Sequence, residues 1–229
     1  MSFQEIYASG AEGYQALVGA EDADGNLPSA LGELIAPGTS TVEIGAGTGR
    51  VTRILSSLAI PVVATEPSAA MQKVATQLGL GPTTALCRAE AAALPFSDGS
   101  FECAVAGWVF GHYVEWQPDG WRHEIGRFLA ECERVTNGGR VIVVETLGTG
   151  HELPSPPAPL VDYYRFLEQD HGFERQWIRT DYSFATIDEA ATVCGNFFGA
   201  EFEQTVRAKQ WSRVPECTGI WSRPGSSAD

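Results

Sequence analysis

T-V-E-I-G-A-G-T-G-R, residues Thr41 to Arg50, decides how the rest of this chain is read. Thr41 to Ile44 are β-branched and apolar apart from Glu43, the composition of a short buried strand. Three glycines follow at alternate positions, Gly45, Gly47 and Gly49. A helical pattern starts at once, with Val51, Ile54, Leu55 and Leu58 on one face. Strand, glycine turn and helix open a nucleotide-binding α/β unit; glycine serves there because a Cβ would hold a ligand away from the backbone. The spacing narrows the choice. A dinucleotide fingerprint, G-x-G-x-x-G, fails because Arg50 stands where the third glycine belongs. A phosphate loop fails for want of a lysine. What remains is E-x-G-x-G-x-G, and a turn that merely joins strand to helix would read the same way.

The next strand, Pro61 to Thr65, ends at Glu66, 21 residues past Gly45. Pro67-Ser68 and a helix through Met71, Val74 and Leu78 follow. An acid at the tip of a second strand suits a nucleoside, since its two oxygens can accept both ribose hydroxyls. A plain loop carboxylate is the alternative. Thr83 to Cys87 reads as a third strand and Phe101 to Gly107 as a fourth. Trp121 to Val135 is a helix with Ile125, Phe128, Leu129 and Cys132 inward, and Arg140 to Thr146 a fifth strand.

E-x-G-x-G-x-G resembles motif I of the class I S-adenosylmethionine (SAM) methyltransferases. Ala89 to Ala106, A-E-A-A-A-L-P-F-S-D-G-S-F-E-C-A-V-A, resembles the small-molecule branch of that family, which reads approximately G-D-A-E-x-L-P-F-x-D-x-S-F-D. N-G-G-R-V-I-V-V-E from Asn137 is similar to the family's P-G-G and fifth strand. The likeness covers residues 40 to 146 well and the ending by topology only. It implies a three-layer, Rossmann-like α/β fold: a seven-stranded, mostly parallel sheet with an antiparallel last strand. It also implies SAM as cofactor, the glycine turn curving under its amino-acid end. Glu90 then takes the place of the family's adenine-reading Asp, and Ala91 supplies the neighbouring N–H. Tyr7 and Tyr14 resemble the segment that folds over SAM, though core aromatics of an amphipathic helix fit them equally. The cofactor set becomes Glu43, Gly45, Ala46, Gly47, Thr48, Glu66, Pro67, Met71, Glu90, Ala91, Trp108 and Tyr14. Three residues depart from the pattern: Glu for Asp at 90 and at 102, and Asn137 for the proline.

Trp108 to Glu115, W-V-F-G-H-Y-V-E, follows the fourth strand. Ligands of open α/β sheets bind beyond the carboxyl ends of the strands, so methyl donor and acceptor should meet here. Of the four histidines, His123 lies mid-helix beside Arg122 and Glu124, and His171 at a helix end can serve the last carbonyls. His112 and His151 remain as catalytic candidates, either to take a proton or to orient. After Glu145 the chain turns Gly- and Pro-rich, then forms an inserted helix over Leu160 to His171. A sixth strand is expected over Phe173 to Phe184, a helix from Thr186 with Glu189 completing a capping box, and a last strand over Arg213 to Arg223. Tyr113, Tyr163, Tyr164 and Arg179 are the candidates for the acceptor site, aromatic density suiting a flat, partly apolar molecule and Arg179 an acceptor carboxylate. Ordinary packing of the inserted helix is the alternative for each.

Residues 1 to 40 read as a helical cap, 41 to 146 as the SAM-binding core and 147 to 229 as substrate-side insertion and terminal strands, one domain in all. The net charge of −14 opposes phosphate backbones and argues against a nucleic-acid substrate. Five scattered cysteines, none in C-x-x-C spacing, read as cytoplasmic thiols rather than disulfides or a zinc site. The start shows no secretory signal, and no apolar run is long enough to span a membrane. No tight Asp/Asn/His cluster after the fourth strand suits Mg²⁺, so no metal is expected. The expected protein is a monomeric or homodimeric methyltransferase that moves the SAM methyl group in line to a small molecule, oxygen before nitrogen or carbon. The alternatives are a non-catalytic SAM- or partner-binding module, an NAD-dependent oxidoreductase, or a SAM-using cyclase.

Overall fold

The computed structural model describes residues 11–225, without the side chains at positions 11, 12 and 14. The covering roles expected of Tyr7 and Tyr14 therefore lie outside the described residues. In chain order the strands are β1 (Thr41–Ile44), β2 (Val62–Thr65), β3 (Thr84–Cys87), β4 (Cys103–Gly107), β5 (Arg140–Thr149), β6 (Glu174–Arg179), β7 (Tyr182–Ser183), β8 (Arg213–Val214) and β9 (Glu216–Arg223). Seven of them form one sheet in the order β3-β2-β1-β4-β5-β9-β6. The first five run parallel, and β9 is antiparallel to both β5 and β6. Strand order reverses between β1 and β4, and a crevice opens there beyond the carboxyl ends.

Alternation along the strands makes the layers. Ile142 and Val144 of β5 share a core with Leu27 and Leu31 of α2 (Asn26–Leu34) and with Val51 and Leu55 of α3 (Arg50–Ser57). Val141 and Val143 face the other way, onto Ile125, Phe128 and Leu129 of α6 (Trp121–Thr136). Between these helices lie α4 (Ala69–Leu78) and the short α5 (His112–Trp116). The last helices are α7 (Val161–Arg165), α8 (Ile187–Phe198) and α9 (Ala200–Lys209). A third core joins Leu17 of α1 (Ala11–Ala20) to Tyr182, Ala191, Cys194 and Val206, so the cap helix packs on α8 and α9. Thr186 caps α8, accepting the Glu189 N–H at 3.1 Å, while the Glu189 carboxylate reaches one residue further back, to the N–H of Ala185.

Three expectations about the second half need correction. The sixth strand does not run to Phe184. It stops at Arg179, because the Asp181 carboxylate gathers Arg179 at 2.8 Å, Arg213 at 3.0 Å and the Glu216 N–H at 3.1 Å, which turns the chain. Tyr182 and Ser183 then pair with β8 in a separate two-stranded sheet. The last strand is split at Pro215, which has no N–H to give to a ladder. The inserted helix is α-helical only to Arg165 and continues as a π-turn over Phe166–Asp170.

Candidate active site

The turn after β1 holds Gly45 at φ 67° and Gly47 at φ 56°, in the left-handed region. The two glycines serve different ends. A Cβ on Gly45 would meet Val109 Cγ2 at 2.7 Å, so this glycine lets the segment after β4 come close. A Cβ on Gly47 would have nothing within 4 Å and would project into a cavity. The Gly47 N–H donates to Glu66 Oε2 and the Ser68 N–H to Oε1, both at 2.8 Å, so the tips of β1 and β2 are tied together. Each carboxylate oxygen keeps a second lone pair for a ligand hydroxyl. Burial raises the Glu66 carboxyl above its usual range, and these two N–H groups oppose the rise.

This first cavity has a volume of about 330 Å³. Its walls include Glu43, Gly45, Ala46, Gly47, Thr48, Glu66, Pro67, Glu90, Ala91 and Trp108. Glu43 is buried under it, accepts the Thr52 hydroxyl at 2.5 Å, and is pushed by burial up to about 7. A shelf of glycine backbone, an acid at the β2 tip and a second acid past β3 fit a nucleoside joined to an amino acid. The cradle that a Cβ at position 47 would fill is the strongest element of that fit.

A second cavity, of about 650 Å³, shares Arg50, Trp108 and His112 with the first. These three side chains are the boundary between the two. Arg50 pairs with Glu21 at 2.6 Å and lies over the Trp108 ring at 4.4 Å. Trp108 sits at φ 54°, sparsely populated backbone for a bulky residue, with its N–H bound to the Val144 carbonyl at 2.7 Å. His112 stacks on Trp116 with ring centroids 5.3 Å apart, and burial lowers its imidazole to about 4. It is neutral near pH 7 and a weak base. Two buried carboxyls line the second cavity, Glu145 raised by burial to about 7 and Glu216 to about 8.

Ten of the twelve expected cofactor residues thus border one cavity. Met71 does not; it is fully buried in the first turn of α4 and packs in the core. Tyr14 is outside the described residues. Among the acceptor candidates, Tyr113 lines the first cavity rather than the second. Tyr163 and Tyr164 are core: their hydroxyls donate to Glu145 Oε1 at 3.2 Å and to the Thr146 carbonyl at 2.5 Å. Arg179 lines neither cavity and is held by Asp181 and the Glu152 carbonyl. His151 is exposed in the loop after β5 and does border the second cavity. Residues that sequence reasoning missed are Arg50, Glu21, Glu145, Glu216 and the Phe197-Phe198-Phe202 group. Arg50 was within reach, being part of the quoted motif; the others come from separate stretches with no signature of their own.

Residues 42–144 match a family model described as "Methyltransferase domain". No curated protein sequence matches the chain. Among solved structures, the [4+2]-cyclase SpnF is 20% identical with TM-score 0.52, covering 88% of this chain and 81% of that one. A SAM dependent methyltransferase from Aquifex aeolicus is 16% identical with TM-score 0.54, covering 88% and 93%. The YcgJ protein from Bacillus subtilis is 14% identical with TM-score 0.55, covering 88% and 99%. At these identities the structures speak for the fold alone. The matched stretch carries β1 to β4, the first half of β5 and the first cavity's wall, and it is similar to a methyltransferase domain.

Proposed function

We propose that this single-domain protein transfers the methyl group of SAM to a small-molecule acceptor held in the second cavity. The observation that carries the reading is the shared boundary of Arg50, Trp108 and His112 between a cavity lined by the glycine turn, Glu66 and Glu90 and a larger, mostly apolar one. Bound in the first cavity, SAM supplies a methyl group on a positively charged sulfur. Glu66 would hold the ribose hydroxyls, Glu90 and Ala91 the adenine edge, and Gly45 to Thr48 the amino-acid end, with Arg50 facing its carboxylate. Trp108 and His112 would exclude water from the junction and orient the acceptor.

An oxygen acceptor, methylated in line and without a metal, is the preferred form of this reading. The metal-free part rests on the sequence, which offers no suitable ligand cluster after β4. A hydroxyl acceptor must shed its proton. His112 is too weak a base for that work at neutral pH, so its proposed role is orientation. Glu145, raised to about 7, is better matched as proton acceptor, and Gly111 N–H at 2.9 Å and the Tyr163 hydroxyl fix its position. The acidic surface supports a small molecule over a nucleic acid. The test is transfer of isotopically labelled methyl from SAM to a panel of phenols, alcohols and amines, read by mass spectrometry. Labelled product from an alcohol or phenol, reduced in Glu145→Gln, supports the reading. SAM binding without transfer to any acceptor would move it to a non-catalytic module or to a cyclase.

A further inference from the structure

Most of the charged groups around the second cavity are answered by a partner. Glu21 is paired with Arg50 at 2.6 Å and accepts the Thr180 hydroxyl at 3.1 Å. Glu145 accepts the Gly111 N–H and the Tyr163 hydroxyl. Glu216, at the start of β9, is different. It is 1% exposed, and its Oε1 accepts the Thr146 hydroxyl at 2.6 Å. Its Oε2 is buried with no hydrogen-bond partner, although the Thr149 hydroxyl lies beside the carboxyl. A buried carboxyl oxygen with no protein donor is a costly arrangement, and a donor supplied by a ligand would relieve it.

The charge balance points the same way. Among the described residues, four acidic side chains line this cavity, Glu21, Glu115, Glu145 and Glu216, against the one guanidinium of Arg50. Two histidines, His112 and His151, also border it. The surroundings are otherwise apolar, with Phe197, Phe198 and Phe202 on one side.

We propose that Glu216 is the recognition group for a protonated amine carried by an otherwise apolar acceptor. The ammonium donates to Oε2 and adds a second cation to a wall whose guanidinium, Arg50, is already paired with Glu21, while the phenylalanines cover the apolar body. A carboxylate- or phosphate-bearing acceptor is disfavoured, since it would set a further acid among four carboxyl groups. This inference rests on the second cavity being the acceptor's, as proposed above.

Three probes of one shape test it: 4-phenylbutylamine, 4-phenylbutan-1-ol and 4-phenylbutyrate, titrated calorimetrically into the protein with and without saturating S-adenosylhomocysteine. The amine should bind at least roughly tenfold tighter than the alcohol, and the butyrate weakest of the three. Glu216→Gln, which keeps an oxygen for Thr146, should bring amine and alcohol to within about threefold of each other. Glu174→Gln, exposed on the edge strand β6 and lining neither cavity, should keep the wild-type preference. Should Glu216→Gln fail to fold, the order of the three probes on wild-type protein decides alone. The inference is overturned if the amine does not bind, if alcohol or butyrate binds as tightly, or if Glu216→Gln keeps the preference. Failure to bind S-adenosylhomocysteine would instead sink the methyltransferase reading, and leaves the probe order readable.

Discussion

The two cavities meet at three side chains but are built on opposite plans. The first is built around a backbone turn, the glycines between β1 and α3, with Glu66 at the tip of β2 and Glu90 past β3 beside it. Its parts come in order from one stretch of chain, residues 43–116. The second is made of side chains from α1, α5, the loop after β5, β7, α8, α9 and β9. A backbone cradle tolerates few sequences, because only glycine accepts the dihedrals and the closeness. A side-chain pocket tolerates many. The proposed function would thus put a common cofactor in the first and a particular acceptor in the second.

Gly47→Val should break this comparison most sharply. Its side chain would enter the first cavity from a left-handed position, so SAM affinity should fall on the order of 1,000-fold, about 4 kcal/mol, with amine binding in the second cavity kept. Parallel titrations of both ligands check this; equal losses in the two would mean that the cavities are not separable. Glu66→Ala should cost roughly 100-fold in SAM affinity, about 3 kcal/mol, from two hydrogen bonds to a charged group.

The next effect belongs to the second cavity and depends on pH. Burial raises Glu216 to about 8, above its unfolded value of about 4.3. A raised carboxyl contributes stability that is complete below the unfolded value and lost as pH rises through the folded one. Glu43 and Glu145, both near 7, act in the same sense. His112, lowered to about 4, acts in the opposite sense, its contribution present above about 6.5 and lost as pH falls through 4. Glu216→Gln should therefore melt within a degree or so of wild type at about pH 4.5, and about 4 °C or more above it at pH 9. A shift that is the same at both pH values would mean that Glu216 titrates in the ordinary range. The smallest effect is remote from both sites: Thr186→Ala removes the α8 cap and should cost about 1 kcal/mol, or roughly 2–4 °C, without changing SAM affinity.

The same contrast explains what could be read in advance. Thr41–Ile44 is the strand expected, Glu66 stands at the tip of β2, and Glu90 borders the cavity with it, because strand, turn and helix each leave a local signature. Beyond β5 that signature fades. Tyr163 and Tyr164 looked like pocket aromatics, yet the π-turn and the packing of Trp221 on Tyr164, with ring centroids 4.5 Å apart, belong to the core. Arg179 looked like a carboxylate binder, but Asp181, two residues on, already answers it. Glu216 carried no mark at all. It follows the Pro215 that ends the β7–β8 pairing, and its importance comes from long-range placement against Glu21, 195 positions earlier in the chain.

One measurement addresses the central claim most directly: calorimetric titration of the wild-type protein with SAM and, separately, with NAD. The account predicts a single SAM site of roughly micromolar affinity, about 8 kcal/mol, and no heat from NAD. No SAM binding, or an NAD site of comparable strength, would contradict it and return the glycine turn to a structural role.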